Sequence, residues 1–299
     1  MTQALRVDDW TGRQVTIAGI ERQLARLRDL QDRATKGPDL RTSVMTHMAW
    51  VPPDWLDAAK ETLAGLAERH PSRTILLVPE PDAPDALHAE LALQCFPLPG
   101  GEPRHVCSEV IELWLCGARC RVPASIVEPL LLADLPVFLR WRGEPPFGGQ
   151  ELDQLLGVTD RLVVDSSEWT QLPDAYARFA EKFEQTAASD IAWARTQGWR
   201  VSLAARWPGI AKLRKLEVKG PLADALLLAG WLRSRLAIPV ELVHEPADQI
   251  EAVEVDGEAV EARQTEPQTP SDLLSDELDN FARDPVYEES VRATSASGD

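Results

Sequence analysis

The short apolar run Thr74-Ile-Leu-Leu-Val78 constrains this chain more than any other segment, because a strand apolar on both faces belongs in a parallel sheet covered on both sides. Upstream, Val44, Thr46, Met48 and Trp50 share one face of a strand over Thr42–Val51. Pro52-Pro53 stops that strand. Pro53 suits the first turn of a helix reaching about Arg69, with Trp55, Ala59, Leu63 and Leu66 inward. Strand, helix and strand at this spacing form a right-handed crossover. The fold class predicted is therefore α/β: a mixed, mostly parallel sheet with flanking helices, doubly wound and Rossmann-like.

Around this unit the pattern varies. Residues 1–18 are polar and irregular, and Ile20, Leu24 and Leu27 then mark an amphipathic helix over Gly19–Arg33, ended by Thr35, Gly37 and Pro38. Alternation from Leu87 to Cys95, a loop over Pro97–Pro103 and a run over Val106–Cys116 predict an antiparallel pair extending the sheet. Residues 123–132 read as helix, and Leu135–Trp141 and Arg161–Asp165 as strands. A helix begins near Pro173, carrying Tyr176, Phe179 and Phe183 at helical spacing. Ala188–Ala205 is read as helical in part, broken around Gly198. Strand Leu213–Lys219, a buried helix over Pro221–Leu236 and strands Val240–His244 and Glu251–Asp256 follow. A last helix is capped by Ser271, with Leu274, Leu278 and Phe281 on one face. The organisation expected is an arm and helix over 1–40, the α/β domain over 41–170, and a smaller α+β C-terminal domain over 171–262. Residues 263–299 would be an acidic linker, a short helix and a disordered tail.

The formal charge of −17 is unevenly placed: residues 241–299 hold 17 of the 48 acids and three of the 31 bases. A near-neutral body with an acidic tail offers no general attraction to phosphate backbones or anionic lipid, so neither nucleic acid nor membrane is an expected partner. No run reaches the roughly 18 apolar residues that would span a bilayer. The cytoplasm is the expected location, and four cysteines in a long cytoplasmic chain argue against a disulfide framework.

Chemistry is hard to find. The first strand-to-helix turn, Trp50-Val-Pro-Pro-Asp-Trp55, lacks glycine, loses two backbone donors to proline and carries an acid, so it opposes a dinucleotide phosphate. No GxxxxGK[ST] and no GxSxG occurs. His105, Cys107, Cys116 and Cys120 lack zinc-ribbon spacing. The same thiols could form a redox pair instead: Cys116 and Cys120 flank Gly-Ala-Arg, and Arg119 or Arg121 could favour a thiolate. No catalytic residue, cofactor or metal is expected.

Tryptophan stands out, with ten against two tyrosines. Arg140-Trp141-Arg142, Trp193-Ala-Arg195 and Trp199-Arg200 place it beside arginine, a pairing enriched at interface hot spots. The Gly/Pro-rich residues after Arg142 suggest that Trp141 is exposed.

Five segments in order are similar to one family: His70-Pro-Ser-Arg-Thr-Ile-Leu-Leu77, the stretch from Ala133 to Pro146, Asp160–Ser166, Asp190 through Arg200, and Leu227–Leu236. Together, from about residue 40 to 260, they resemble the OpcA family of glucose-6-phosphate dehydrogenase assembly proteins. The resemblance implies a non-enzymatic protein that binds and activates that dehydrogenase, controlling the oxidative pentose phosphate pathway and its NADPH output. The tryptophan–arginine segments supply the interface residues expected for such a partner: Arg140, Trp141, Arg142, Trp193, Arg195, Trp199 and Arg200. In cyanobacterial members thiol redox state is part of that control. Its own oligomeric state is left open. The alternative is an enzyme or sensor holding a sugar phosphate in the α/β cleft, with Arg140 and Arg142 as cationic ligands.

Overall fold

The computed structural model describes residues 5–34, 43–66, 69–97, 105–263 and 268–294. The expected helix stop at Thr35–Pro38, the Gly100-Gly101 turn and the tail beyond Thr294 lie outside them. The strands in chain order are β1 (Leu5–Gly12), β2 (Met45–Trp50), β3 (Ser72–Glu80), β4 (Ala86–Pro97), β5 (His105–Cys116), β6 (Val137–Trp141), β7 (Arg161–Val164), β8 (Ala187–Asp190), β9 (Lys215–Gly220), β10 (Glu241–Pro246), β11 (Ala252–Val255) and β12 (Glu258–Val260). The helices are α1 (Ile17–Ala34), α2 (Leu56–Leu66), α3 (Pro123–Val127), α4 (Gln150–Leu156), α5 (Asp174–Ala180), α6 (Ile191–Arg195), α7 (Gln197–Ala204), α8 (Leu222–Leu236), α9 (Pro270–Leu278) and α10 (Pro285–Arg292).

A mixed eight-stranded sheet runs in the order β1-β4-β5-β3-β2-β6-β7-β8, and a four-stranded sheet in the order β10-β9-β11-β12. Parallel pairing of β2 with both β3 and β6, and of β3 with β5, makes the centre parallel. β4 pairs antiparallel with β5, as the alternation predicts. Ala59 of α2 buries against Ala49, Val51 and Leu76, with Trp55 and Leu63 packed alongside. The chain divides into two compact units, residues 1–142 with 148–162, and residues 143–147 with 163–299.

In the second unit β9 and β10 are parallel and α8 connects them. Alternate residues of β9, Leu216 and Val218, bury with Ala225, Leu228, Ala229 and Leu232 of α8. Gly230 brings α8 against α10 so closely that a Cβ there would lie 2.3 Å from the Ser290 carbonyl oxygen. Only glycine fits that approach.

Several expectations are corrected. Residues 5–12 form β1, whose pairing with β4 shifts register between Val7 and Asp9. Residues 187–190 are strand β8, so the partly helical stretch begins only at Ile191; its expected break near Gly198 falls at Thr196. Thr269 rather than Ser271 caps α9, exchanging hydrogen bonds with Asp272, and Phe281 is exposed. Helix α10 was not anticipated. Asp284 caps it by accepting from the Val286 and Tyr287 amides.

A disulfide joins Cys95 to Cys107, directly opposite one another in the β4–β5 register. It is present although cysteine count and compartment argued against a disulfide framework. The bridge closes a loop with a sequence separation of 12, so its loss releases chain entropy in the unfolded state. The double variant Cys95→Ser/Cys107→Ser should lose about 2–3 kcal/mol in non-reducing urea melts. Reductant should bring the parent chain to the same value and leave the variant unchanged.

Candidate functional site

Each tryptophan–arginine segment is built by the strand or helix that carries it. Trp141 ends β6, and the parallel register sets it beside Trp50 of β2. Their rings stack at 4.9 Å and 12°. Trp141 is 2% exposed, which corrects the expectation of an exposed loop residue: the strand continues through Trp141, and its indole faces inward. Arg140, on the opposite face of the strand, is also 2% exposed and donates from Nη1 to the Trp141 carbonyl. Beside it, burial and the Arg140 charge hold His47 down to about 4, so the imidazole is neutral. Arg142 extends the ladder by donating its amide to the Trp50 carbonyl at 3.0 Å, and its guanidinium lies 4.6 Å above the Trp55 ring. Of the two cations suggested for a sugar phosphate, Arg140 is thus enclosed and Arg142 lies on an indole.

The second segment lies in the second unit. Trp193 is buried, its Nε1 donating to Asp284 Oδ2 at 3.0 Å. Arg200 covers the indole face at 3.5 Å and donates to Thr196 Oγ1 and the Trp193 carbonyl. Trp199 packs against the core beneath the four-stranded sheet. Arg195 grips Asp165 with two 2.9 Å hydrogen bonds and reaches Asp224 at 3.2 Å. These contacts draw both carboxylates toward the arginine, whose own proton is held above the ordinary range.

Sequence reasoning missed the acidic centre behind this clamp. Asp190, between β8 and α6, accepts from the Ser166 and Ala192 amides and from the Tyr287 hydroxyl. Burial, with Asp165 nearby, pushes its carboxyl up to about 7. Burial likewise raises Asp224 to about 6 despite Arg195. Tyr176 shares a 2.7 Å hydrogen bond with Ser166 and, like Tyr287, is held as a neutral phenol by burial.

The consequence for stability has a definite sign. The folded chain holds the Asp190 proton more tightly than the unfolded chain does. Stability contributed here is therefore greatest below about pH 4 and falls as pH rises toward about 7, by up to about 1.4 kcal/mol per pH unit. Asp190→Asn keeps an acceptor for the two amides and cannot ionise. Urea melts from pH 4 to 8 should show a flatter profile for this variant, retaining the shallower Asp224 contribution. An unchanged slope would place the charge elsewhere.

Cys116 and Cys120, the possible redox thiols, lie beside Glu80. Cys116 and Cys120 are free and buried. Burial, then the hydrogen bond from Cys116 to Glu80 Oε2 at 3.3 Å, pushes the Cys116 thiol up to about 11. Cys120 donates to the Leu115 carbonyl, and burial raises it too. The neighbour that matters is a glutamate, where an arginine was expected. Sequence reasoning also passed over Trp207, which is 65% exposed. The Pro208-Gly209 that follows it was the available signal of a surface turn.

Comparison with known proteins gives this arrangement its context. A family model described as the N-terminal domain of a glucose-6-phosphate dehydrogenase subunit matches residues 64–181. A second, described as the C-terminal domain of that subunit, matches residues 186–291. The OxPP cycle protein OpcA, as the relative in Synechococcus elongatus is named, is 26% identical over 181 residues, covering 57% of this chain and 41% of its own. The protein so named in Nostoc punctiforme is 27% identical over 194 residues, covering 61% and 42%. The match thus spans about two fifths of the length of these curated relatives. With both family domains matched in order along most of the chain, the protein belongs to the OpcA family of glucose-6-phosphate dehydrogenase assembly proteins.

Proposed function

We propose that this chain is a non-catalytic cytoplasmic protein that binds glucose-6-phosphate dehydrogenase and favours its assembled, active form, thereby controlling the oxidative pentose phosphate pathway. The observation that carries this reading is the ordered match to both dehydrogenase-subunit domains over residues 64–181 and 186–291. Among the described residues, no helix is long and apolar enough to cross a membrane. For activation to occur, the chain must bind the active state of the enzyme more tightly than the inactive one; equal affinity shifts nothing.

Of the interface residues proposed from sequence, Arg140, Trp141, Trp193 and Arg195 are engaged internally and would act by shaping the surface. Arg142, Trp199 and Arg200 are half-buried and remain candidates for direct contact. Trp207 joins them, because a solvated indole gains most from being covered. The test mixes the chain with purified dehydrogenase and follows NADPH formation and complex mass by light scattering. Co-elution with faster turnover is expected, and Trp207→Ala should weaken both at unchanged melting temperature. Neither co-elution nor a rate change would overturn the proposal.

A further inference from the structure

A cavity of about 260 Å³ lies within the second unit, bounded by β8, α6, α7, α9 and the start of α10. Its lining includes Ser189, which is 5% exposed and whose hydroxyl meets no hydrogen-bond partner among the described residues. Buried hydroxyls are nearly always satisfied, so an orphan lining a cavity marks a place for a ligand's polar atom. Arg200, from α7, lines the same space. Its Nε and Nη2 serve Thr196 and the Trp193 carbonyl, yet the guanidinium meets no carboxylate at ion-pair distance among the described residues. Burial draws it down to about 10, with Asp284 and Glu277 acting in the opposite sense, so it stays charged at neutral pH.

Asp284 is committed to the α10 cap and to the Trp193 indole. Asp276, which accepts from Gln268 Nε2 at 2.7 Å and keeps its charge, and Glu277 come from α9, a different helix from that of Arg200. An anion entering here would meet these two acids, and a cation would meet the arginine. A molecule carrying both charges a few bonds apart satisfies each end and leaves a polar atom for Ser189. We propose that this cavity binds a free α-amino acid, its carboxylate on Arg200 and its ammonium toward Asp276 and Glu277.

Isothermal titration of the intact chain with the standard free L-amino acids tests this, with acetate and methylamine as probes of each end alone. At least one amino acid should bind saturably, about tenfold or more tighter than either half-probe, a difference of about 1.4 kcal/mol. Arg200→Gln and Glu277→Gln should each weaken it about tenfold. Glu277 is half-exposed, so its variant tests the idea even if Arg200→Gln fails to fold. No saturable binding at millimolar concentration would overturn the proposal, as would methylamine or acetate binding as tightly as every amino acid.

Discussion

Replacing Arg195 by alanine should destabilise the chain by about 3–5 kcal/mol, the cost of stranding a buried charge. The arginine pairs with both Asp165 and Asp224, and Asp224 is 1% exposed. Without it, the Asp224 carboxylate has neither water nor a partner charge, and the chain must either carry that penalty or take up a proton. The second route gives the variant a signature. Asp224 already titrates near 6 with the arginine in place, so without it the carboxyl should hold its proton to higher pH. The defect should accordingly be largest at pH 8 and shrink toward pH 5, and Asp224→Asn added to Arg195→Ala should recover part of the loss. Urea melts of the three proteins at both pH values decide it. A pH-independent loss would mean that side-chain packing, rather than charge, is what the arginine provides.

Trp141→Ala should cost about 3–5 kcal/mol as well, by a different mechanism. The indole fills a closed space against Trp50, and alanine leaves a void that the parallel β2–β6 pair is too rigid to close. Any loss of dehydrogenase activation in this variant should therefore follow the unfolded fraction as temperature is raised, and phenylalanine at 141 should restore most of both. An alanine variant that melts like the parent and fails only in activation would instead put the indole on the docking surface.

The contrast between what was legible and what was not has physical causes. The β2–α2–β3 crossover could be read because its apolar periodicity is strong and proline marks the junction. β8 could not: Ala-Ala-Ser-Asp carries no hydrophobic pattern, and it is extended because it pairs at the sheet edge with β7. β1 hides its alternation behind a register shift. Helix α10 did announce itself, through an Asp-Pro start that fits a cap followed by proline in the first turn. The pairing of Cys95 with Cys107 was also within reach, since the antiparallel register of the two strands sets them opposite each other. Trp141 was misjudged because its environment depends on β6 lying beside β2, a pairing between residues 91 positions apart. The acidic centre has the same origin: Asp165, Asp190 and Asp224 come from three separate elements, and no local spacing links them.

One feature of the chain path bears on how this protein can be dissected. Residues 143–147 belong to the second unit although 148–162 return to the first. A fragment begun at residue 163 would lack Glu144, which accepts from the Thr170 and Gln171 amides and pairs with Arg178. It would also lack Phe147, whose ring meets Trp169 and Phe179. A single cut therefore yields no self-sufficient half, and truncation libraries aimed at isolating the C-terminal portion should give poorly expressed, protease-sensitive products until the pentapeptide is supplied in cis.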